Sequence, residues 1–327
     1  MAVKNKKTAL VTGAGGFIGH HMVNYLKKKG YWVRGVDIKY PMFEKTNADE
    51  FELLDLRRWP NALQATRNVD EVYNFAADMG GMGFISCNHS IILHNNLLIS
   101  THVLEAARIN DVKKIFFSSS ACIYPEYKQT NADVISLKEE DAYPAEPQDA
   151  YGWEKLITEQ TMTHYGRDYK IKTRIARFHN IYGPLGTWDG GREKVPAAFC
   201  RKIALAKMRG DKEIEVWGDG KQTRSFCYID DCVEGVYKLM KSNIDEPLNI
   251  GSDRLISVND LADMVADIAG IKIKKKHIKG PQGVRGRNSD NTKVKKLLKW
   301  EPNITLEEGM TSTYQWIEKQ VKETYSK

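Results

Sequence analysis

The sequence predicts an α/β protein: a doubly wound parallel sheet with a smaller α/β part interwoven through its C-terminal half. Three observations carry this expectation. The N-terminal half alternates short apolar runs with stretches of helical periodicity. A glycine-rich turn joins the first apolar run to the first helical stretch. Beyond residue 178 the alternation gives way to loops rich in Gly, Pro and Trp.

Taken in order, "TALVTGA" (8–14) suits a buried strand, and "FIGHHMVNYLKKKG" (17–30) has helical spacing and ends in glycine. "WVRGVDI" (32–38), "EFELLD" (50–55), "EVYNFAA" (71–77) and "KKIFFSSS" (113–120) read as further strands. A helix of about 88–109 lies between the last two. A second long helix covers about 149–164, and "KTRIARF" (172–178) follows as a strand. Short strands "IEVWG" (214–218) and "SFCYI" (225–229), a helix at 257–269 and another at 305–322 complete the chain. The lysine-rich "IKIKKKHIKG" (271–280) alternates, which fits the solvated face of a strand.

A chain of 327 residues suits one large domain or two. Its net charge of +7 is not gathered with aromatics into a stripe, so no nucleic-acid partner is expected. Cys87, Cys122, Cys200, Cys227 and Cys232 include no CxxC pair, which argues against a disulfide framework and for the reducing cytoplasm. No apolar run is long enough to span a bilayer, and the N-terminus enters a strand too soon for a signal peptide, so no membrane is expected. His89 and His94 are five apart and misaligned on a helix, and no metal is expected.

Two motifs carry chemistry. "VTGAGGFIG" sets Gly13, Gly16 and Gly19 after the first strand and into the first helix. Glycines there let the backbone approach a pyrophosphate, whose charge sits at a helix N-terminus. Asp37 closes the second strand, where a carboxylate binds a ribose 2′-hydroxyl and repels a 2′-phosphate; NAD is expected rather than NADP. "YGWEK" sets Tyr151 and Lys155 four apart on one helix face. A nearby ammonium would lower the phenol from its usual pKa of about 10 and let it take a proton from an alcohol. Ser120 could bond the same oxygen.

These motifs resemble those of the extended short-chain dehydrogenase/reductase family, whose members mostly modify nucleotide sugars. "WGDGKQTRSFCYIDD" (217–231) and "NIGS" (249–252) extend the likeness over nearly the whole chain. The resemblance implies a Rossmann NAD-binding domain of 1–178 and about 226–250, and a nucleotide-sugar-binding domain of about 179–225 and 251–327. It implies cofactor contacts from Gly13, Gly16, Phe17, Ile18, Gly19, Asp37, Asp55, Leu56, Ala76, Tyr151 and Lys155, and a homodimer formed through two helices of each subunit.

Within that family, "AADMGGMG" (76–83), "SSACIYPE" (119–126), "PAEPQDAYGWEK" (144–155), "HNIYGPLGTWDGGREKVPAAFCRK" (179–202) and "GPQGVRGRNSDN" (280–291) resemble the members that invert C3 and C5 of GDP-mannose. Those members carry a cysteine and a lysine matching Cys122 and Lys194. Their implied chemistry is oxidation at C4, proton exchange at C3 and C5 by the Cys122/Lys194 pair, and reduction to GDP-L-galactose, with GDP-L-gulose as the 5-epimer. An ammonium from Lys194 or Lys155 is expected beside the thiol to favour its thiolate. The implied substrate contacts are Gly80, Gly81, Ser120, Ala121, Cys122, Asn180, Glu193, Lys194, Lys202, Gln222 and Arg224, with Arg285 or Arg287 as a second arginine for the diphosphate. A 4-epimerase or 4,6-dehydratase of another sugar nucleotide is the alternative; no Glu stands beside the serine triplet, which disfavours the dehydratase.

Overall fold

A computed structural model describes residues 6–281 and 283–325. Residues 1–5 and 326–327, at the outer ends of the two expected domains, and Gln282 of the quoted 280–291 stretch lie outside the described residues. The N-terminal half runs β1 (Thr8–Thr12), α1 (Phe17–Lys28), β2 (Trp32–Asp37), β3 (Glu50–Leu53), α2 (Trp59–Ala65), β4 (Glu71–Asn74), α3 (Met82–Ile85), α4 (His89–Ile109), β5 (Lys114–Ser120), α5 (Ala150–Tyr169) and β6 (Lys172–Phe178). There follow β7 (Ile181–Tyr182), α6 (Val195–Arg209), β8 (Glu213–Trp217), β9 (Thr223–Ser225), β10 (Cys227–Tyr228), α7 (Ile229–Lys241) and β11 (Leu248–Ile250). The chain closes with β12 (Leu255–Ser257), α8 (Val258–Ala269), β13 (Lys274–Ile278), β14 (Gly286–Arg287), α9 (Thr292–Leu298) and α10 (Leu306–Tyr325).

The central sheet has the order β11-β6-β5-β4-β1-β2-β3, and every neighbouring pair is parallel. A parallel sheet needs both faces covered, and its strands read as unbroken apolar runs. Residues Ala9 to Thr12 and Glu71 to Asn74 are accordingly buried without alternation. One face carries a core that includes Leu10, Val72, Leu104 and Ile175. The core on the other face takes in Met22 and Leu26 of α1 and Val236 and Met240 of α7. That second cluster runs on to Ile203 of α6 and Ile317 of α10, so the later part of the chain shares its apolar interior with the sheet. Strand order reverses between β1 and β4, the place where open α/β sheets form a crevice at their carboxyl ends.

The later part contains a three-stranded sheet β12-β9-β14, the parallel pair β13-β8 and the short pair β10-β7. β13 is the lysine-rich stretch, and its side chains are exposed or half-exposed, as expected of a solvated strand face. "SFCYI" is not one strand: its first residue ends β9, which pairs with β12 and β14, while Cys227 and Tyr228 pair with β7. Five helices among the described residues went unpredicted: the short α2, α3 and α9, and the longer α6 and α7. α6 starts at Lys194 with Pro196 in its first turn, where a missing N–H costs nothing. α7 has Asp230 and Asp231 in its first turn and Lys238 and Lys241 in its last, complementing the helix dipole.

Candidate active site

The dinucleotide cradle forms where β1 turns into α1. Gly13 has φ +67°, and a Cβ on it would lie 2.9 Å from the Ala76 nitrogen beyond β4. A Cβ on Gly19 would lie 2.1 Å from the Gly13 carbonyl oxygen, so the helix can begin this close to the turn only as glycine. Thr12 Oγ1 donates to Asn74 Oδ1 at 2.6 Å and accepts from the Phe75 and Ala76 N–H groups at 3.1 Å, which fixes the two strand ends together. The N-cap of α1 is Gly16, which brings no side chain to the first-turn N–H groups.

Asp37 stands at the end of β2 as expected. Its carboxylate accepts from Gly15 N at 2.9 Å, Ile38 N at 2.6 Å and Lys39 N at 3.3 Å. A carboxylate has about four acceptor positions, so room remains for a hydroxyl. Burial raises the Asp37 pKa above its ordinary value, partly offset by these three bonds. Gly15, absent from the glycine triplet read in the sequence, is the residue that ties the turn to Asp37. Phe17 and Ile18 open α1, and Leu56 is buried beside Asp55, whose carboxylate is held by Arg57 at 2.8 Å. The glycine cradle and the Asp37 carboxylate fit a dinucleotide.

The serine triplet divides its work. Ser118 donates to Asn74 O at 3.1 Å, and Ser119 to Glu159 at 2.5 Å beneath the site. Ser120 caps a single turn, Ala121–Ile123, by accepting from Cys122 N at 3.2 Å. That turn meets the start of α5 closely: a Cβ on Gly152 would lie 2.2 Å from the Cys122 carbonyl oxygen. Asp149 caps α5 through Gly152 N at 2.9 Å. Tyr151 thereby comes beside Ser120 and Cys122.

Two expectations about charge are corrected. Lys155 does not lower the Tyr151 phenol; burial raises it well above its ordinary value, the Glu154 and Cys122 charges add to this, and a hydrogen bond with Ser120 offsets only part. Lys155 is itself buried, with Nζ 5.4 Å from the centroid of the Tyr151 ring, 4.7 Å from that of Phe117 and 3.5 Å from Glu154 Oε1. The cation bonded to the thiol is neither Lys194 nor Lys155. It is Arg287, whose Nη1 donates to Cys122 Sγ at 3.2 Å while Nε donates to Gln129 Oε1 at 2.5 Å. Lys194 caps α6 and is close enough to feel the Cys122 charge, which favours its ammonium, although burial sets the net direction and lowers its pKa.

The second arginine is Arg224, on β9. Its guanidinium donates to the carbonyls of Thr223 at 2.7 Å and Val284 at 2.6 Å. Burial and repulsion from Arg287 lower its pKa to about 9, an arrangement that an anion between the two would relieve. Arg285 points elsewhere, gripping Asp219 with two bonds of 2.8 Å, so Arg287 is the arginine that faces the cleft. Glu193 also turns away: Arg201 holds its carboxylate at 2.7 Å and Gly191 N donates to it at 2.7 Å. Lys202 donates to the Glu215 carbonyl at 2.7 Å. Gln222 donates to Trp217 O at 3.1 Å and leaves its buried Oε1 without a partner among the described residues. Asn180, at φ +44°, donates to Ser225 O at 2.9 Å. Gly81 packs on the loop before α6, where a Cβ would lie 2.6 Å from Glu193 O, and a Cβ on Gly80 would lie 2.9 Å from Phe84 Cβ. Gln129, Asn96, Glu154 and Arg192 were missed by sequence reading, although Glu154 lies inside "YGWEK" and Arg192 inside the quoted stretch 179–202. No cluster of metal-ligating residues occurs among the described residues.

Residues 9–251 match the model of the NAD dependent epimerase/dehydratase family. The chain belongs to that family. It is 55% identical over 319 residues to GDP-mannose 3,5-epimerase of Arabidopsis thaliana, an alignment covering 97% of this chain and 84% of the relative. It is also 55% identical over 314 residues to GDP-mannose 3,5-epimerase 1 of Oryza sativa subsp. indica, covering 95% and 82%. Among solved structures it is similar to UDP-glucose 4-epimerase of Thermotoga maritima with UDP-glucose, at TM-score 0.85 and 29% identity, covering 96% and 99%. The UDP-glucuronic acid 4-epimerase of Bacillus cereus in complex with UDP-glucuronic acid and NAD gives TM-score 0.81 and 28% identity, covering 96% and 99%.

Proposed function

We propose that this chain is an NAD-dependent isomerase that inverts C3 and C5 of GDP-mannose to give GDP-L-galactose, with GDP-L-gulose as 5-epimer by-product. The 55% identity to the plant GDP-mannose 3,5-epimerases carries the reading. The site adds support through a thiol beside a lysine that can act from the other face of a sugar.

Bound NAD would supply reversible hydride transfer at C4, making the sugar a ketone and its C3 and C5 hydrogens acidic. Gly13, Gly16 and Gly19 would hold its pyrophosphate and Asp37 its ribose. Phe17, Ile18, Asp55, Leu56 and Ala76, with Tyr151 and Lys155, would complete the cofactor site. Tyr151, in its phenolate form, takes the proton of the C4 hydroxyl and returns it at the end, with Ser120 bonding the same oxygen. The Cys122 thiolate removes a proton from carbon, forming S–H and leaving the electron pair in an enolate on O4. The Lys194 ammonium delivers a proton to the opposite face and becomes an amine. Lys194's lowered pKa makes it the readier donor. Arg287 and Arg224 hold the diphosphate as well as flanking the thiol.

Residues 1–178 and about 226–250 would form the NAD-binding domain, and the remainder the nucleotide-sugar domain. Ile91 on α4 and Trp153 and Ile157 on α5 are about half exposed, which supports a homodimer through these packed helices. Five unpaired cysteines support the cytoplasm. The purified protein, offered GDP-mannose and a panel of uridine and thymidine sugar nucleotides, should convert GDP-mannose alone. Conversion only of another sugar nucleotide overturns the reading.

A further inference from the structure

Gln129 is buried at the end of the short turn Glu126–Gln129, which follows the Ala121–Ile123 turn that carries Cys122. Its amide nitrogen donates to the Tyr124 carbonyl at 3.0 Å and the Pro125 carbonyl at 3.1 Å, which uses both hydrogens. The amide oxygen accepts from Arg287 Nε at 2.5 Å. The platform under that amide is itself fixed: Tyr124 N donates to Ala121 O at 3.3 Å, and the Tyr124 hydroxyl donates to Asn249 Oδ1 at 2.6 Å. The backbone of Gln129 also reaches the far strand, since Arg285 N donates to Gln129 O at 2.9 Å. A Cβ on Gly286 would lie 2.2 Å from Asn131 O, so β14 packs closely against this segment.

We propose that Gln129 is a positioning residue: it fixes the Arg287 guanidinium so that Nη1 meets the Cys122 sulfur and Nη2 is left for the substrate's diphosphate. This rests on the thiol's assigned role as the base. A sulfur is a weak acceptor and would not by itself keep a guanidinium in place. Arg224, paired with Arg287 across β9 and β14, adds a repulsion that favours turning away. Among the described residues the Arg287 side chain bonds only Gln129 and Cys122, with no carboxylate to hold it. The guanidinium is planar, so pinning Nε sets the direction of both arms.

The residue type fits the task. A glutamate here would bond the guanidinium more strongly, but it would cancel the charge offered to the sulfur and turn an acceptor toward the Tyr124 and Pro125 carbonyls. A neutral amide satisfies two carbonyls, holds the cation and leaves its charge intact. The link spans 158 residues of sequence and joins the turn after β5 to β14 beside the thiol.

The test is a double-mutant cycle on the rate at which iodoacetamide alkylates Cys122 at neutral pH. The rate is read by mass spectrometry of the Cys122 peptide, with exposed Cys87 replaced by serine throughout. Gln129→Met keeps most of the volume and removes the anchor; it should slow alkylation at least about fivefold. The same substitution placed on Arg287→Met should change the rate by less than about twofold, because the glutamine acts through the arginine. An effect of Gln129 on access to the sulfur or on the fold would appear in both backgrounds alike. Gln129→Asn, whose amide is drawn back by one methylene, takes its place in both backgrounds if the methionine variant does not fold. It should slow alkylation at least about threefold where Arg287 is present. No slowing where Arg287 is present, or equal slowing in both backgrounds, overturns the proposal. The assay needs no turnover, so it stands apart from any failure of the epimerase reading.

Discussion

Replacing Arg287 by methionine tests how the site makes its thiol reactive. The side chain is 8% exposed, donates to Cys122 Sγ at 3.2 Å and to Gln129 at 2.5 Å, and lies beside Arg224. Methionine keeps most of the volume, and Gln129 keeps its bonds to the Tyr124 and Pro125 carbonyls at 3.0 and 3.1 Å, so the loss is chiefly of charge. A hydrogen bond to a charged group is worth roughly 1.5–3 kcal/mol. At about 1.4 kcal/mol per tenfold, the attack rate of the Cys122 sulfur should fall by about 10- to 150-fold. The assay is iodoacetamide alkylation at neutral pH, followed by mass spectrometry of the Cys122 peptide, with exposed Cys87 replaced by serine. An unchanged rate in folded Arg287→Met would refute the reasoning and return the thiol's activation to Lys194.

Three further outcomes are expected. In Gly15→Ala the new Cβ would lie 2.1 Å from the Lys39 carbonyl, a backbone atom that cannot swing aside. The turn must open and lose its bond to Asp37, and the purified variant should hold less than about a tenth of the parent's NAD by extraction and absorbance. In Cys122→Ser, carbon-bound proton exchange should be lost while NAD content is unchanged; retained exchange removes the sulfur from the base role. Glu318 is held by Lys322 and Lys207, which lower its pKa from 4.5 to about 2. Because the folded value is the depressed one, its contribution is present above about pH 4.5 and lost as pH falls toward 2. The Tm gap between parent and Glu318→Gln should therefore close across that window, and a constant gap would contradict the pairing.

Much of this architecture is legible in the chain because local and global signals agree. β1, β4 and β6 announce themselves as apolar runs, and the glycine turn sits between a strand and a helix where only a cradle explains it. Ser120, Tyr151 and Lys155 were placed by spacing alone, since a strand end and an adjoining helix face fix their geometry. α6 and α7 were less visible because they lie in a stretch whose loops break the periodicity, although the Asp pair opening α7 was a usable signal. The electrostatics were hardest to read. Spacing puts Lys155 near Tyr151 but says nothing of Glu154 lying 3.5 Å from its ammonium. Nor does it bring Arg287, 165 residues along the chain, onto Cys122. Arg285 and Arg287 are two apart, the first just before β14 and the second ending it, and only the structure shows that one faces Asp219 and the other the thiol.

Proton exchange at carbon tests the central claim most directly. Incubated with GDP-mannose in D₂O, the protein should place deuterium at both C3 and C5 of the recovered sugar nucleotides, with none at C4, whose hydrogen returns by hydride transfer. Turnover of GDP-mannose with deuterium at neither C3 nor C5 would contradict the account.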